Sequence, residues 1–245
     1  MLLKLPEPKL LTESILIISE LVTEVNMKVT KEGLEIIAVD PANVALVSLK
    51  LSAKAFSQYE VDKEDALGLN LEDFKQVLKR IPVGSSLAIE KDGNRLKLTI
   101  LDKVKRNFNL ALINIDQDEK QMPDLTFTNN ILINSTNFSE AVNDSAVVAD
   151  ACSFITLKKE NKFIVEAKGS LNQAKSEFSS DEAEMTIEDS KSRYSLEYLL
   201  KFIKASKFTE KIRIRFSTNY PARFDFKSGT FLELDFVLAP RVEDD

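Results

Sequence analysis

A chain of 245 residues has room for one large domain or two ordinary ones, and 44% hydrophobic and 29% charged residues with only 6 Gly and 7 Pro suit an ordered, soluble fold. The absence of histidine excludes Ser-His-Asp and Cys-His catalysis, imidazole acid–base chemistry and His-ligated zinc, and a lone Cys152 excludes thiolate metal clusters and disulfides. Six scattered glycines form neither G-x-G-x-x-G nor G-x-x-x-x-G-K-[ST], and a net charge of −6 argues against indiscriminate nucleic-acid binding, so the composition points to a binding protein that is not an enzyme and has no cofactor.

The opening "MLLKLPEPKL" is interrupted by Lys4 and Pro6, and 18 apolar residues never run together, so a soluble intracellular protein without a membrane partner is expected. In "LLTESILIISELV", Leu11, Ile15, Ile18 and Val22 fall at helical spacing. "NMKVTKEGLEIIAVD" alternates through Met27 and Val29, turns at Lys31-Glu32-Gly33 and resumes at Leu34 and Ile36, which predicts a hairpin, and "ANVALVSLKL" follows as another strand. A second helix, "LNLEDFKQVLKRI", carries Leu71, Phe74, Val77, Leu78 and Ile81 on one stripe. Strands "SLAIEKDG", "NRLKLTIL" and "RNFNLALINI" come next, the first two joined by a Lys91-Asp92-Gly93-Asn94 turn.

The same programme then runs again at an offset of roughly 125 residues. "STNFSEAVNDSAVV" predicts a helix, "SFITLKKENKFIVEAKG" a hairpin with Lys159-Glu160-Asn161 in the slot of Lys31-Glu32-Gly33, and "NQAKSEFS" a strand. "YSLEYLLKFIKASK" matches the earlier second helix, and "KIRIRFSTNYPARFDFK" and "TFLELDFVLAP" complete the set. The fold class expected is therefore α+β: two tandem copies of one domain, each with antiparallel strands and two helices on one side. The boundaries read as residues 1–115 and 131–245, joined by an extended connector over 116–130 that contains Met122-Pro123. Asp116, Asp118 and Glu119 in that connector would allow a carboxylate-metal hydrolase, but they lack the D-x-[DN]-x-[DN]-G pattern, and an acidic solvated loop is the plainer reading.

The second helix of each half collects cations in its last turns: Lys75, Lys79 and Arg80 in one, Lys201, Lys204 and Lys207 in the other. A helix C-terminus favours cations through its dipole, by ~0.3–1 kcal/mol each. Recurrence at equivalent positions points further, to a basic strip that meets phosphates without reading bases. The chain's end poses its own question: the apolar strand Phe236-Val237-Leu238 stops in Ala239-Pro240 and continues into Arg241, Val242 and the acidic Glu243-Asp244-Asp245, which suggests a surface on which something docks.

With "GLEIIAVDPANVALVSLKL" near the start, "LGLNLEDFKQVLKR" between, and "LAPRVEDD" at the end, the whole chain resembles the DNA sliding clamps of the proliferating cell nuclear antigen (PCNA) family, most closely the archaeal members. The resemblance implies a homotrimeric ring of two-domain subunits, helices inside and sheets outside, that encircles duplex DNA regardless of sequence. It would tether DNA polymerase, flap endonuclease and ligase, which dock Q-x-x-[ILM]-x-x-aromatic-aromatic peptides in an apolar pocket, and a clamp loader would open it. The resemblance places that pocket at Val39, Val44, Leu46, Pro221 and Ala239-Pro240, closed over by Met122-Pro123 and bordered by Asn43, Val237, Leu238 and Arg241. The acidic residues Asp116, Asp118, Glu119 and Glu243–Asp245 would rim it. DNA would face Lys9, Lys75, Lys79, Arg80, Lys201, Lys204 and Lys207. Subunits would join edge to edge through Lys105, Arg106, Phe108, Leu110 and Leu112 of one and Ala174, Lys175, Glu177 and Phe178 of the next. The location implied is cytoplasmic and nucleoid-associated for an archaeal chain, nuclear for a eukaryotic one.

One departure stands out. The first helix of each half carries few cations here: Lys9 accompanies Glu13, Glu20 and Glu24, and the later helix shows Glu140 and Asp144 with no Lys or Arg. Two alternatives follow, a clamp that touches DNA lightly or one subunit of a heterotrimeric or checkpoint-type ring.

Overall fold

The computed structural model describes residues 1–115 and 120–242, and the chain divides into two compact units. The first unit comprises Met1–Pro41, Val47–Met122 and Ser228–Leu234; the second comprises Ala42–Leu46, Pro123–Lys227 and the chain from Asp235 onward.

The first half of the chain runs β1 (Leu2–Leu5), α1 (Lys9–Ile18), β2 (Glu24–Val29), β3 (Gly33–Val39), β4 (Ala45–Ser52), β5 (Gln58–Glu60), β6 (Asp65–Asn70), α2 (Leu71–Leu78), β7 (Ser86–Asp92), β8 (Arg95–Leu101) and β9 (Lys105–Ala111). The second half repeats the order: β10 (Asn129–Asn134), α3 (Ser135–Val148), β11 (Ala151–Leu157), β12 (Lys162–Lys168), β13 (Gln173–Phe178), β14 (Ala183–Thr186), β15 (Ser190–Ser195), α4 (Leu196–Phe202), β16 (Lys211–Phe216), β17 (Ala222–Ser228) and β18 (Leu232–Leu238). The protein is therefore two tandem copies of one α+β domain, as its sequence leads one to expect.

In the first unit one antiparallel sheet is ordered β5-β1-β7-β8-β9, and β4-β3-β2-β6 forms a second run. In the second unit the corresponding arrangements are β13-β12-β11-β15 and β14-β10-β16-β17-β18. Helix α1 packs on α2, and α3 packs on α4 and on β10 to β13. Asn side chains start two of the helices: Asn70 Oδ1 accepts the Glu72 and Asp73 amides at 2.9 and 3.2 Å, and Asn134 Oδ1 accepts those of Thr136 and Asn137 at 3.0 and 3.1 Å.

The two cores use different side chains for one topology. Aliphatic residues fill the first, among them Leu3, Ile15, Met27, Leu49, Leu87 and Leu98, with Phe74 the one fully buried aromatic of that unit among the described residues. Rings fill the second. Phe154 lies at its centre, within 4.9–6.1 Å, centroid to centroid, of Phe138, Phe163, Tyr194, Phe216 and Phe224, mostly edge to face.

Several local expectations are corrected. The first helix ends at Ile18 rather than continuing to Val22; Leu21 and Val22 stay buried beneath a turn in which their amides reach the Ile18 carbonyl, which prolongs the helical spacing past the helix. The predicted helix over "YSLEYLLKFIKASK" is a seven-residue α-helix followed by 3₁₀ turns at Ile203–Phe208. Gly33 and Asn161 share a slot for different reasons. Asn161 takes a left-handed conformation with φ 48°, whereas a Cβ on Gly33 would lie 2.1 Å from the Leu51 carbonyl oxygen. Residues 116–119 of the expected connector lie outside the described residues; from Lys120 to Thr128 the chain forms neither helix nor strand, and β10 begins at Asn129.

Deleting the Phe154 ring removes the common partner of five others. Phe154→Ala is expected to destabilise the second unit by about 3–5 kcal/mol, read as a lowered urea midpoint; a loss below about 1 kcal/mol would show that the cluster closes over the cavity.

Candidate functional site

Strand alternation presents the apolar residues expected around the C-terminal step. Ala45 and Val47 are buried, so Val44 and Leu46 point the other way and are half-exposed. Within the second unit β18 ends at Leu238, and the Ala239 amide donates to the Val44 carbonyl at 2.9 Å, which brings the two expected halves of the pocket wall side by side. Ala239, Pro240 and Pro221 are half-exposed, and Asn43 is exposed in a left-handed conformation with φ 56°. Leu238, fully buried, and Val237, 7% exposed, are core residues and can offer the border only their backbone. Arg241 is turned away from a polar role there: its Nη1 donates to Asp150 Oδ2 at 2.7 Å, and its amide to the Arg193 carbonyl, also at 2.7 Å. That bond holds the Asp150 carboxyl below its ordinary range. In the first unit Val39 and Met122 are half-exposed, while Pro123 of the second is exposed. The acidic rim residues Asp116, Asp118, Glu119, Glu243, Asp244 and Asp245 lie outside the described residues.

Three residues of this region had no place in the sequence-based site. Phe127 packs edge to face against Tyr220, with centroids 6.1 Å apart, and Tyr220 precedes Pro221. The Tyr194 hydroxyl donates to the Tyr220 carbonyl at 2.7 Å, and burial pushes the phenol well above its ordinary range. A lone aromatic in the otherwise polar "DQDEKQMPDLTFTN" was the available signal for Phe127.

The cations on the second helices differ in how they are held. Lys75 Nζ is 2.6 Å from Glu72, and Lys201 Nζ is 3.1 Å from Glu197 and 5.1 Å from the Tyr198 ring, so each is offset by an acid of its own helix. Lys79, Arg80, Lys204 and Lys207 are exposed. Lys204 and Lys207 lie three residues apart in the 3₁₀ segment, where such positions eclipse, and Lys207 sits 5.9 Å from the Phe208 ring. Lys9, the first residue of α1, is also exposed.

The two expected contact strands are sheet margins. Strand β9 ends the first unit's five-stranded sheet and β13 the second unit's four-stranded sheet, and no other strand among the described residues pairs with their outer sides. On β9, Arg106, Phe108 and Leu110 are half-buried between exposed Lys105, Asn107 and Asn109. Arg106 donates to the Arg80 carbonyl at 3.1 Å, so it caps the end of α2 rather than reaching outward. Leu112 lies past the strand and is 8% exposed. On β13, Ala174 is half-exposed, Lys175 pairs with Glu177, and Glu177 also holds Lys162 at 3.0 Å. Phe178 is buried and stacks on Phe163, which makes it a core residue.

Behind the Phe127 contact lies a ladder of charge. Arg215 Nη2 donates to Asp225 Oδ2 at 2.5 Å, Arg223 Nε to Asp225 Oδ1 at 2.7 Å, and Arg223 Nη2 to Asp235 Oδ2 at 2.9 Å. Both aspartates are buried, and Asp235 Oδ1 has no hydrogen-bond partner. Burial, followed by the neighbouring Asp225, pushes the Asp235 carboxyl up to about 7 against the opposing pull of Arg223. A folded-state value above the unfolded one of about 4 gives stability that is complete below that pH and is lost as pH rises to about 7. Asp235→Asn cannot titrate. Relative to this variant the unaltered protein should lose more than about 1 kcal/mol of unfolding free energy between pH 4 and 8; a difference independent of pH would contradict the assignment.

Comparison with known proteins accounts for the whole described fold. Residues 1–121 match the proliferating cell nuclear antigen N-terminal domain and residues 121–241 its C-terminal domain. The chain is 37% identical over 231 residues to the DNA polymerase sliding clamp of Thermococcus fumicolans and 34% identical to that of Pyrococcus horikoshii, in each case across 92% of both chains. PCNA from Thermococcus kodakaraensis superposes with a TM-score of 0.90 at 25% identity, covering 98% of this chain and 99% of that one. The PCNA2-PCNA3 complex from Sulfolobus tokodaii gives a chain at 0.89 and 26%, covering 99% and 100%. The two domains matched in tandem over residues 1–241 show that the chain belongs to the PCNA family.

Proposed function

We propose that the protein is a DNA sliding clamp: three copies join head to tail into a ring around duplex DNA and tether the enzymes that work there. The observation that carries this is the pair of unpaired margins, β9 in one unit and β13 in the other, on a chain whose relatives are named DNA polymerase sliding clamps. Different surfaces meet in such a contact, and it closes only when the rotation per subunit completes a circle. Lys79, Arg80, Lys204 and Lys207 face the duplex, where contacts to phosphate are electrostatic and blind to sequence, so moving by one base pair changes almost nothing in energy.

The role is that of a non-catalytic scaffold. A polymerase, flap endonuclease or ligase gains a high effective concentration at its substrate by docking a Q-x-x-[ILM]-x-x-aromatic-aromatic peptide on Val44, Leu46, Pro221 and Ala239-Pro240. A separate loader opens the ring, and the clamp works wherever the cell keeps its DNA, the cytoplasm in an archaeon. A second reading, one subunit of a mixed ring, is favoured by one feature: α3 carries no Lys or Arg and α1 only Lys9, so the inner charge rests mainly on the second helices.

The test is topological. Protein purified alone should have the mass of a trimer and, once loaded, should be retained on nicked circular DNA and lost on linearisation; Lys79→Glu with Lys204→Glu should keep the trimer and cut retention about tenfold or more. A persistent monomer would favour the mixed ring, and equal retention on linear and circular DNA would overturn encirclement.

A further inference from the structure

The end of the connector is fastened to the second unit by contacts that the clamp reading does not use. Asn129, fully buried, accepts the Glu188 amide at 2.8 Å and donates to the Phe216 carbonyl at 3.2 Å, and the Thr128 amide donates to Ser217 Oγ at 2.9 Å. These bonds fix where the connector enters β10. One residue earlier, Phe127 lies between two partners: the Arg215 guanidinium carbon is 5.6 Å from its ring centre, and the Tyr220 ring meets it at 75°. Arg215 is itself held by Asp225, which Arg223 holds in turn.

We propose that Arg215 and Phe127 form a latch that fixes the last stretch of the connector against Tyr220, and so positions the wall at Pro221 for an aromatic-ended partner peptide. The inference rests on the clamp reading for its ligand and on the structure for its mechanism. A guanidinium half-withdrawn from water and anchored at one edge by a carboxylate presents its flat face in a set orientation, and an aromatic ring is the side chain that matches it. Phe127, Thr128 and Asn129 are then pinned in succession. Tyr220 is tied on its other side by the Tyr194 hydroxyl, so the ring contact passes between two fixed points and the adjoining proline inherits their position. An ordered wall spares a docking peptide the entropy of ordering it, which is how a residue that need not touch the ligand changes its affinity.

The experiment uses the full-length protein and a fluorescent peptide ending in two phenylalanines with the Q-x-x-L spacing, titrated by anisotropy. Phe127→Leu keeps apolar bulk but loses the ring face and should weaken binding about fivefold to tenfold, Phe127→Tyr should stay within about twofold, and Arg215→Met should match Phe127→Leu. The Phe127→Leu, Arg215→Met double variant should be no weaker than either single one, since both remove the same contact. A purely structural role would instead shift the unfolding midpoint of Phe127→Leu together with its affinity; the latch moves affinity, and the amide exchange of 124–128, at an unchanged midpoint. Phe127→Leu binding as tightly as the unaltered protein, or additive losses in the double variant, would overturn the latch alone. No binding to the unaltered protein would overturn the pocket reading first.

Discussion

A strand at the margin of a sheet leaves alternate backbone amides and carbonyls without a partner, and that constraint shapes this molecule more than any single side chain. Strand β9, seven residues long, and β13, six residues long, end their sheets without proline or bulge. Such margins invite pairing with another chain. Their outward residues, Lys105, Asn107 and Asn109 on one and Lys175 and Glu177 on the other, are polar or charged, which discourages indiscriminate stacking while leaving the backbone ladder available. In the proposed ring, each margin of one type meets the other type on the next copy.

Duplication supplies the rest. One domain, written twice, repeats the cation-bearing second helix, and an acidic protein thereby gathers positive charge at two equivalent places without becoming basic overall, while the two margins fall at different places in the repeat, β9 as its last strand and β13 as the counterpart of β4. The copies have diverged inside: aliphatic packing in the first and a ring cluster about Phe154 in the second reach the same topology, as expected where volume and patterning are kept. They have diverged outside as well. The buried ladder of Arg215, Arg223, Asp225 and Asp235 belongs to the second unit, beside the connector end and the C-terminal step, where the proposed docking site lies.

Much of this architecture was legible in the residues, because long amphipathic stripes such as Leu71-Phe74-Val77-Leu78 and turns such as Asp92-Gly93 carry strong local signals. What escaped was short or fused. Strands β5 and β14, of three and four residues, fall below any period that can be read, and β6, β10 and β15 run straight into helices, with Asn70, Asn134 and Ser195 serving as strand end and helix cap at once. The candidate sites were readable only through resemblance, since Val44 and Leu46 look like any strand pair. Phe178, placed on the subunit contact by the resemblance, is a core residue stacked on Phe163, and sequence could not show this because burial depends on tertiary partners that a strand pattern does not reveal. Phe127 and the charge ladder escaped for the same reason: their contacts join residues as far apart in sequence as 127 and 215.

Backbone pairing between copies has a direct readout in the exchange of alternate amides of β9 and β13, followed by mass spectrometry as the protein is diluted. A ring joined at these margins predicts strong protection of both strands at high concentration and its simultaneous loss on dilution, as the mass falls from trimer to monomer. Rapid exchange in both strands while the trimer persists would contradict it, because the copies would then be held by some other surface.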